Sequence, residues 1–163
     1  MSVQRKVRNT TNAAIFSRNY PTRLEEAVEL GEVTHRASKV WRAAEVGVKK
    51  HGSMPLYYAT RDREGMITHR GEITSIVIDP EPEDPEAERL EDLVSDDDTY
   101  SQHNSPPEGY ARLDRTNYLV EDCRALEEPF HFTELHKLSD GTPLDEDYSY
   151  QPAYVYQHGT HPE

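Results

Sequence analysis

The sequence has a single cysteine, Cys123, so no intramolecular disulfide staples the chain and an apolar core must hold it. No stretch approaches the roughly 18 apolar residues of a membrane-spanning helix. The basic segment from Met1 to Arg8 is not followed by the apolar run of a secretory signal. The expected setting is therefore the cytoplasm, with no membrane partner. Glycine-rich phosphate loops, GxGxxG and GxSxG are all missing, which removes local support for nucleotide hydrolysis, dinucleotide redox chemistry and acyl transfer. The histidines lack HExxH spacing and Cys123 has no CxxC partner, so the expectation is no metal, no cofactor and no catalytic residue. Cys123 follows Glu121 and Asp122, and neighbouring carboxylates raise a thiol pKa, which points to a structural cysteine.

Lysine is also scarce. Only Lys6, Lys39, Lys49, Lys50 and Lys137 occur, so Arg makes up most of the 18 basic residues, against 31 acidic ones. The acids behind the net charge of -13 are dispersed along the 163 residues from Glu25 onward, and only 34% of residues are apolar. A chain of this length suits one domain, its few apolar residues gathered under a very polar surface. Dispersed acids with retained Arg fit a halophilic protein, because at about 1 M salt the screening length is only about 3 Å and self-repulsion fades. In such a medium counterion release contributes little to binding a nucleic acid, so affinity rests on stacking and hydrogen bonds. An acidic chain can then still take an anionic ligand.

The apolar run Ala13 to Ser17 reads as a first strand ending in the turn Arg18-Asn19-Tyr20-Pro21. A helix follows, with capping-box spacing at Thr22 and Glu25, an apolar face of Leu24, Ala27 and Val28, and a stop at Gly31. A second helix is expected from about Thr34 to Val46, because Ala37, Val40, Trp41, Ala44 and Val48 recur at helical steps. Pro55 to Thr60 and Gly71 to Asp79 are β-branched and aromatic, which predicts a hairpin turning at Asp62 to Gly65. Residues 80–109 are rich in Asp, Glu and Pro, with Arg89 the one base, and read as a solvated insertion with a short helix at Glu86 to Val94. Further elements are expected at Thr116 to Glu121, Thr133 to Leu138 (a short helix) and Ala153 to Gln157. About five strands with helices early and late make an α+β fold, a small mixed or largely antiparallel barrel flanked by short helices.

Three stretches carry a family resemblance. Ala14 to Asn19, Gly52 to Thr60 with Ile67 to Pro80, and Tyr118 to Leu144 around Pro129-Phe130-His131-Phe132 resemble the strands of the PUA-like superfamily, in particular its EVE-type and ASCH-type domains. The acid that usually precedes the aromatic strand is replaced by Ser53-Met54-Pro55. The resemblance implies a pseudo-barrel whose pocket accepts a nucleobase, modified ones included, in DNA or RNA; some ASCH-type relatives are enzymes.

If the pocket matches, Ser17, Arg18 and Asn19 line one wall, and Tyr58, Thr60 and Arg61 the other. The residue types suit this: an amide reads a base edge, Arg clamps phosphate or guanine, and an aromatic ring offers a stacking platform. Each also has a plain structural role, Arg18 to Pro21 as a turn and Tyr57 and Tyr58 as residues facing opposite sides of one strand. Trp41, on the apolar stripe of the second helix, is either core or a stacking wall. Arg70, with Arg61, Arg63 and His69, forms the most basic locality, able to steer a phosphate backbone or to pair with nearby acids. Three functions stay open: a non-catalytic nucleic-acid or nucleobase binder; an ASCH-type enzyme using Glu72 or Asp79 on a nucleoside or nucleic acid; and an interaction module acting through the acidic segment 80–109.

Overall fold

The computed structural model describes residues 2–61, 63, 65–94 and 107–160. Its elements are α1 (Val3–Asn9), β1 (Ala13–Asn19), α2 (Pro21–Leu30), β2 (Glu32–Ala37), α3 (Arg42–His51), β3 (Met54–Thr60), β4 (Met66–Ile78), α4 (Pro85–Asp92), β5 (Thr116–His131) and β6 (Ala153–Tyr156). A 3-10 turn at Phe132–Glu134 follows β5. The strands form one six-stranded sheet in the order β2-β5-β4-β3-β1-β6, so the fold is α+β with a mixed sheet. β1 and β3 are parallel and the other neighbours antiparallel. Among the described residues β2 and β6 end the sheet rather than closing it on each other.

β1 and β3 sit inside the sheet and are buried on both faces, which is why they read as continuous apolar runs instead of alternating ones. Ile15, Leu56 and Tyr58 join the core under α1, α2 and α3, with Val7, Leu24, Ala44, Ile73 and Val120. Phe16, Tyr57 and Ala59 join a second core on the opposite face, with Ile67, Phe130, Phe132, Leu135 and Val155. The alternation expected of Tyr57 and Tyr58 therefore holds, with both rings buried. A third cluster forms where Ala87 and Leu90 of α4 cover Val77 and Leu119. Part of the acidic segment is thus a covering helix, capped by Asp84, whose side chain accepts from Glu86 N–H. Residues 95–106 of that segment lie outside the described residues.

The second predicted helix is the clearest correction. Glu32–Ala37 is a strand, and the helix starts only at Arg42. Val33 and Thr34 are β-branched, and β2 pairs antiparallel with β5 from Glu32↔Glu121 to Ala37↔Thr116, a ladder that outweighs the helical spacing of Ala37, Val40 and Trp41. Trp41 becomes the residue that precedes the helix. α2 behaves as expected at its end, where Gly31 adopts φ 80° and closes the helix, but its start uses Pro21 in the first turn and no side-chain cap. α1 was not anticipated from the sequence; Ser2 caps it by accepting from Arg5 N–H.

Candidate nucleic-acid interface

Where the parallel strands β1 and β3 end, the chain leaves the sheet, and α2, β2 and the 38–41 connection surround the gap. The result is a cavity of about 810 Å³ lined by Ser17 to Arg23, Thr34 to Lys39, Trp41, Arg61, Tyr118, Ser149 and Gln151. That volume is in the range of small-molecule sites. Its lining holds Arg18, Arg23, Arg36, Lys39 and Arg61, and among the described residues that line it there is no Asp or Glu. In a chain of net charge -13 this is a local inversion of sign. The start of α2 lines the same place, and a helix N-terminus carries positive potential.

The deep wall is aromatic. Trp41 stacks on Tyr118 with ring centroids 4.5 Å apart and planes 23° apart. His35 meets Tyr58 and Tyr118 edge-on, at 5.5 and 6.0 Å. Its Nδ1 lies 2.6 Å from the Tyr58 hydroxyl and 3.4 Å from Asn19 Nδ2, and the Tyr58 and Tyr118 hydroxyls are 3.0 Å apart. His35 Nε2 is buried and has no hydrogen-bond partner among the described residues. Burial first, then the nearby Arg23 and Arg36, push the His35 pKa down to about 3, so the ring is neutral. Burial likewise raises the pKa values of Tyr58 and Tyr118 above the ordinary phenol value.

The structure brings Ser17, Arg18, Asn19, Trp41 and Arg61 to this one cavity. Ser17 donates its hydroxyl to Gln151 Oε1, which also accepts from Arg18 N–H. The Arg18 guanidinium donates to Tyr148 O and lies 5.0 and 5.1 Å from the Phe16 and Phe132 ring centroids. Desolvation and then Arg61 lower its pKa. Arg61 projects over the Tyr20 ring, 5.2 Å from its centroid.

Tyr58, Thr60 and Arg70 do not line the cavity. Tyr58 is fully buried behind it, because its side chain joins the core under the helices, and acts on the wall through His35 and Tyr118. Thr60 is buried beside Asn19 in the β1–β3 register. Arg70 pairs with Tyr57 in the β3–β4 register, lies over that ring at 5.6 Å and contacts Glu72 at 3.4 Å. Glu72 and Asp79, the carboxylates of the enzyme reading, also lie outside the lining. Asp79 is paired with Arg115 at 2.9 Å, and burial raises the Glu72 pKa. Cys123 is buried with its pKa pushed up to about 11, through desolvation rather than through its acidic neighbours.

No family model and no curated protein matches the sequence. Among solved structures the chain is similar to the N-terminal domain of Staphylothermus marinus McrB, with 12% identity and a TM-score of 0.41 over 73% of this chain and 76% of that one. A likeness at that level leaves function to the chain's own residues.

Several lining residues escaped the sequence reading. His35, Arg36 and Lys39 were assigned to a helix, although the run Val33 to Ala37 with its β-branched start carries a strand signal that puts Val33 and His35 on one face. Arg23 was read only as part of a capped helix. Gln151 and Tyr118 reach the site through long-range pairing, for which the local sequence holds no signal. Among the described residues no cluster of His, Cys, Asp or Glu is arranged to hold a metal, and no helix is long and apolar enough to cross a membrane.

Proposed function

We propose that this chain is a non-catalytic nucleic-acid-binding module, a single PUA-like domain whose cavity takes a base while its cationic rim takes the adjoining phosphate. The observation that carries the reading is the charge inversion: Arg18, Arg23, Arg36, Lys39 and Arg61 converge on a cavity with no Asp or Glu among its described lining residues, in a strongly acidic chain. Cationic side chains gathered at one mouth favour an anionic ligand, and the polar groups beneath them favour one with a hydrogen-bonding heterocycle. The acidic excess of the rest of the chain disfavours a polyanion over much of the remaining surface, which favours binding at this mouth. A salt-rich cytoplasm fits the composition and leaves such a site usable, since its contacts inside the cavity are shielded from bulk screening.

Trp41 is the only tryptophan and lines the cavity, so its fluorescence reports occupancy directly. Titration with short single-stranded DNA and RNA, at low salt and at about 1 M salt, is expected to give a saturable change in that emission. Replacing Arg61 by Ala is expected to weaken binding by about 1.5 to 3 kcal/mol, the scale of one charge-assisted hydrogen bond. An emission unchanged by any oligonucleotide, with no binding by anisotropy, rejects the proposal.

A further inference from the structure

We infer that His35 reads the ligand at the cavity floor, its Nε2–H donating a hydrogen bond to an acceptor on the base, either a carbonyl oxygen or an unprotonated ring nitrogen. This rests on the nucleic-acid reading above and narrows it to the group that recognises the base.

The direction of the hydrogen bond follows from the neighbours. Tyr20 N–H donates to Asn19 Oδ1 at 2.8 Å, which fixes the amide and leaves Nδ2 as the atom facing His35 Nδ1 at 3.4 Å. An amide nitrogen only donates, so Nδ1 must present its lone pair there. The Tyr58 hydroxyl then donates to Nδ1 at 2.6 Å, and its oxygen is free to accept from the Tyr118 hydroxyl at 3.0 Å. The opposite tautomer would turn both Nδ1–H and the Asn19 amide onto the Tyr58 hydroxyl oxygen and leave the 3.4 Å contact between two donors, so the arrangement that keeps that contact as a hydrogen bond is the Nε2–H one. The ring proton therefore sits on Nε2.

That Nε2 is buried in a residue only 5% exposed, has no hydrogen-bond partner among the described residues, and belongs to a residue of the cavity wall. A buried donor left unpaired is costly, and an acceptor brought by a ligand removes the cost. The groups packed around the ring are Asn19 from β1, Tyr58 from β3 and Tyr118 from β5, with Arg23 of α2 and Arg36 of β2 supplying the nearby charges. None of these neighbours is a carboxylate that would recruit a second proton. The ring thus offers a donor without a charge of its own, and it selects for an acceptor instead of a second anion. The rim cations take the phosphate.

Two measurements on the full chain test this. In the first, nitrogen-correlated NMR of the ligand-free protein at pH 6 to 8 is expected to show His35 as the neutral Nε2–H tautomer. An Nδ1–H tautomer or an imidazolium overturns the inference. In the second, the wild type and the His35→Phe and His35→Gln variants are titrated with nucleoside 5′-monophosphates and with inorganic phosphate. His35→Phe is expected to lose roughly tenfold or more in nucleotide affinity, with phosphate affinity unchanged and with Gln, which keeps an N–H donor, recovering part of the loss. Nucleotide affinity equal in the wild type and His35→Phe overturns this inference and leaves the nucleic-acid reading standing. A wild type that binds neither nucleotide nor oligonucleotide overturns that reading and this one together. Should the Phe variant fail to fold, the tautomer measurement and the Gln variant decide.

Discussion

Burying a histidine as a neutral ring has a price in acid. In the unfolded chain His35 takes up a proton near its ordinary pKa of 6.5, whereas in the fold it stays neutral down to about 3. Between those values the unfolded state binds more protons, so this group's contribution to stability falls as pH falls. Each pH unit lost in that window removes up to about 1.4 kcal/mol. Urea midpoints measured from pH 7 to pH 4 are expected to drop more steeply for the wild type than for His35→Gln. Parallel slopes would show that His35 does not stay neutral in the fold. Tyr58→Phe deletes the donor to Nδ1 and the link to Tyr118, and is expected to cost about 1 to 2 kcal/mol in chemical denaturation. At this scale Asn19 and Arg61 were legible from the end of an apolar run meeting a polar turn. His35 was not, since its role depends on rings from β3 and β5 that are far away in sequence.

Among the elements, β1 and β3 were readable because strands buried on both faces are unbroken apolar runs, and α2 because Gly31 ends it with positive φ. β2 was not, because residues 32–41 satisfy a helical and a strand pattern at once and only the ladder to β5 decides between them. The reach of β4 and β5 was also hidden: both bend through register shifts, one of them between Arg70 and Glu72. Gly71 occupies that irregularity, where an added Cβ would stand 2.8 Å from Val120 Cγ1 and 3.3 Å from Glu121 O. Backbone on one side and a β-branched core residue on the other leave little room to give. Gly71→Ala is therefore expected to destabilise by about 1 to 3 kcal/mol, read as a lower denaturation midpoint with an unchanged slope. A midpoint equal to that of the wild type would mean that the sheet relaxes there.

Over the whole molecule, the charge of -13 and the cationic cavity pull in opposite directions. Screening weakens the first more than the second, because the general repulsion acts through solvent while the cavity acts at contact. Thermal stability is expected to rise with sodium chloride toward molar concentration. A melting temperature that is flat or falling with salt would contradict the halophilic reading of the composition. The composition announced the acid surface but concealed this inversion, since Arg18, Arg23, Arg36, Lys39 and Arg61 are dispersed in sequence and gather only when β1, α2, β2 and the end of β3 meet. The central claim is that this mouth is where a nucleic acid binds. Its most direct test is amide NMR of the labelled protein titrated with a short single-stranded oligonucleotide in molar salt. Saturable shifts are expected at residues 17–23, 34–41, 61 and 151 and at the Trp41 indole. Shifts confined to Arg63, His69 and Arg70, or no shifts at all, would contradict it.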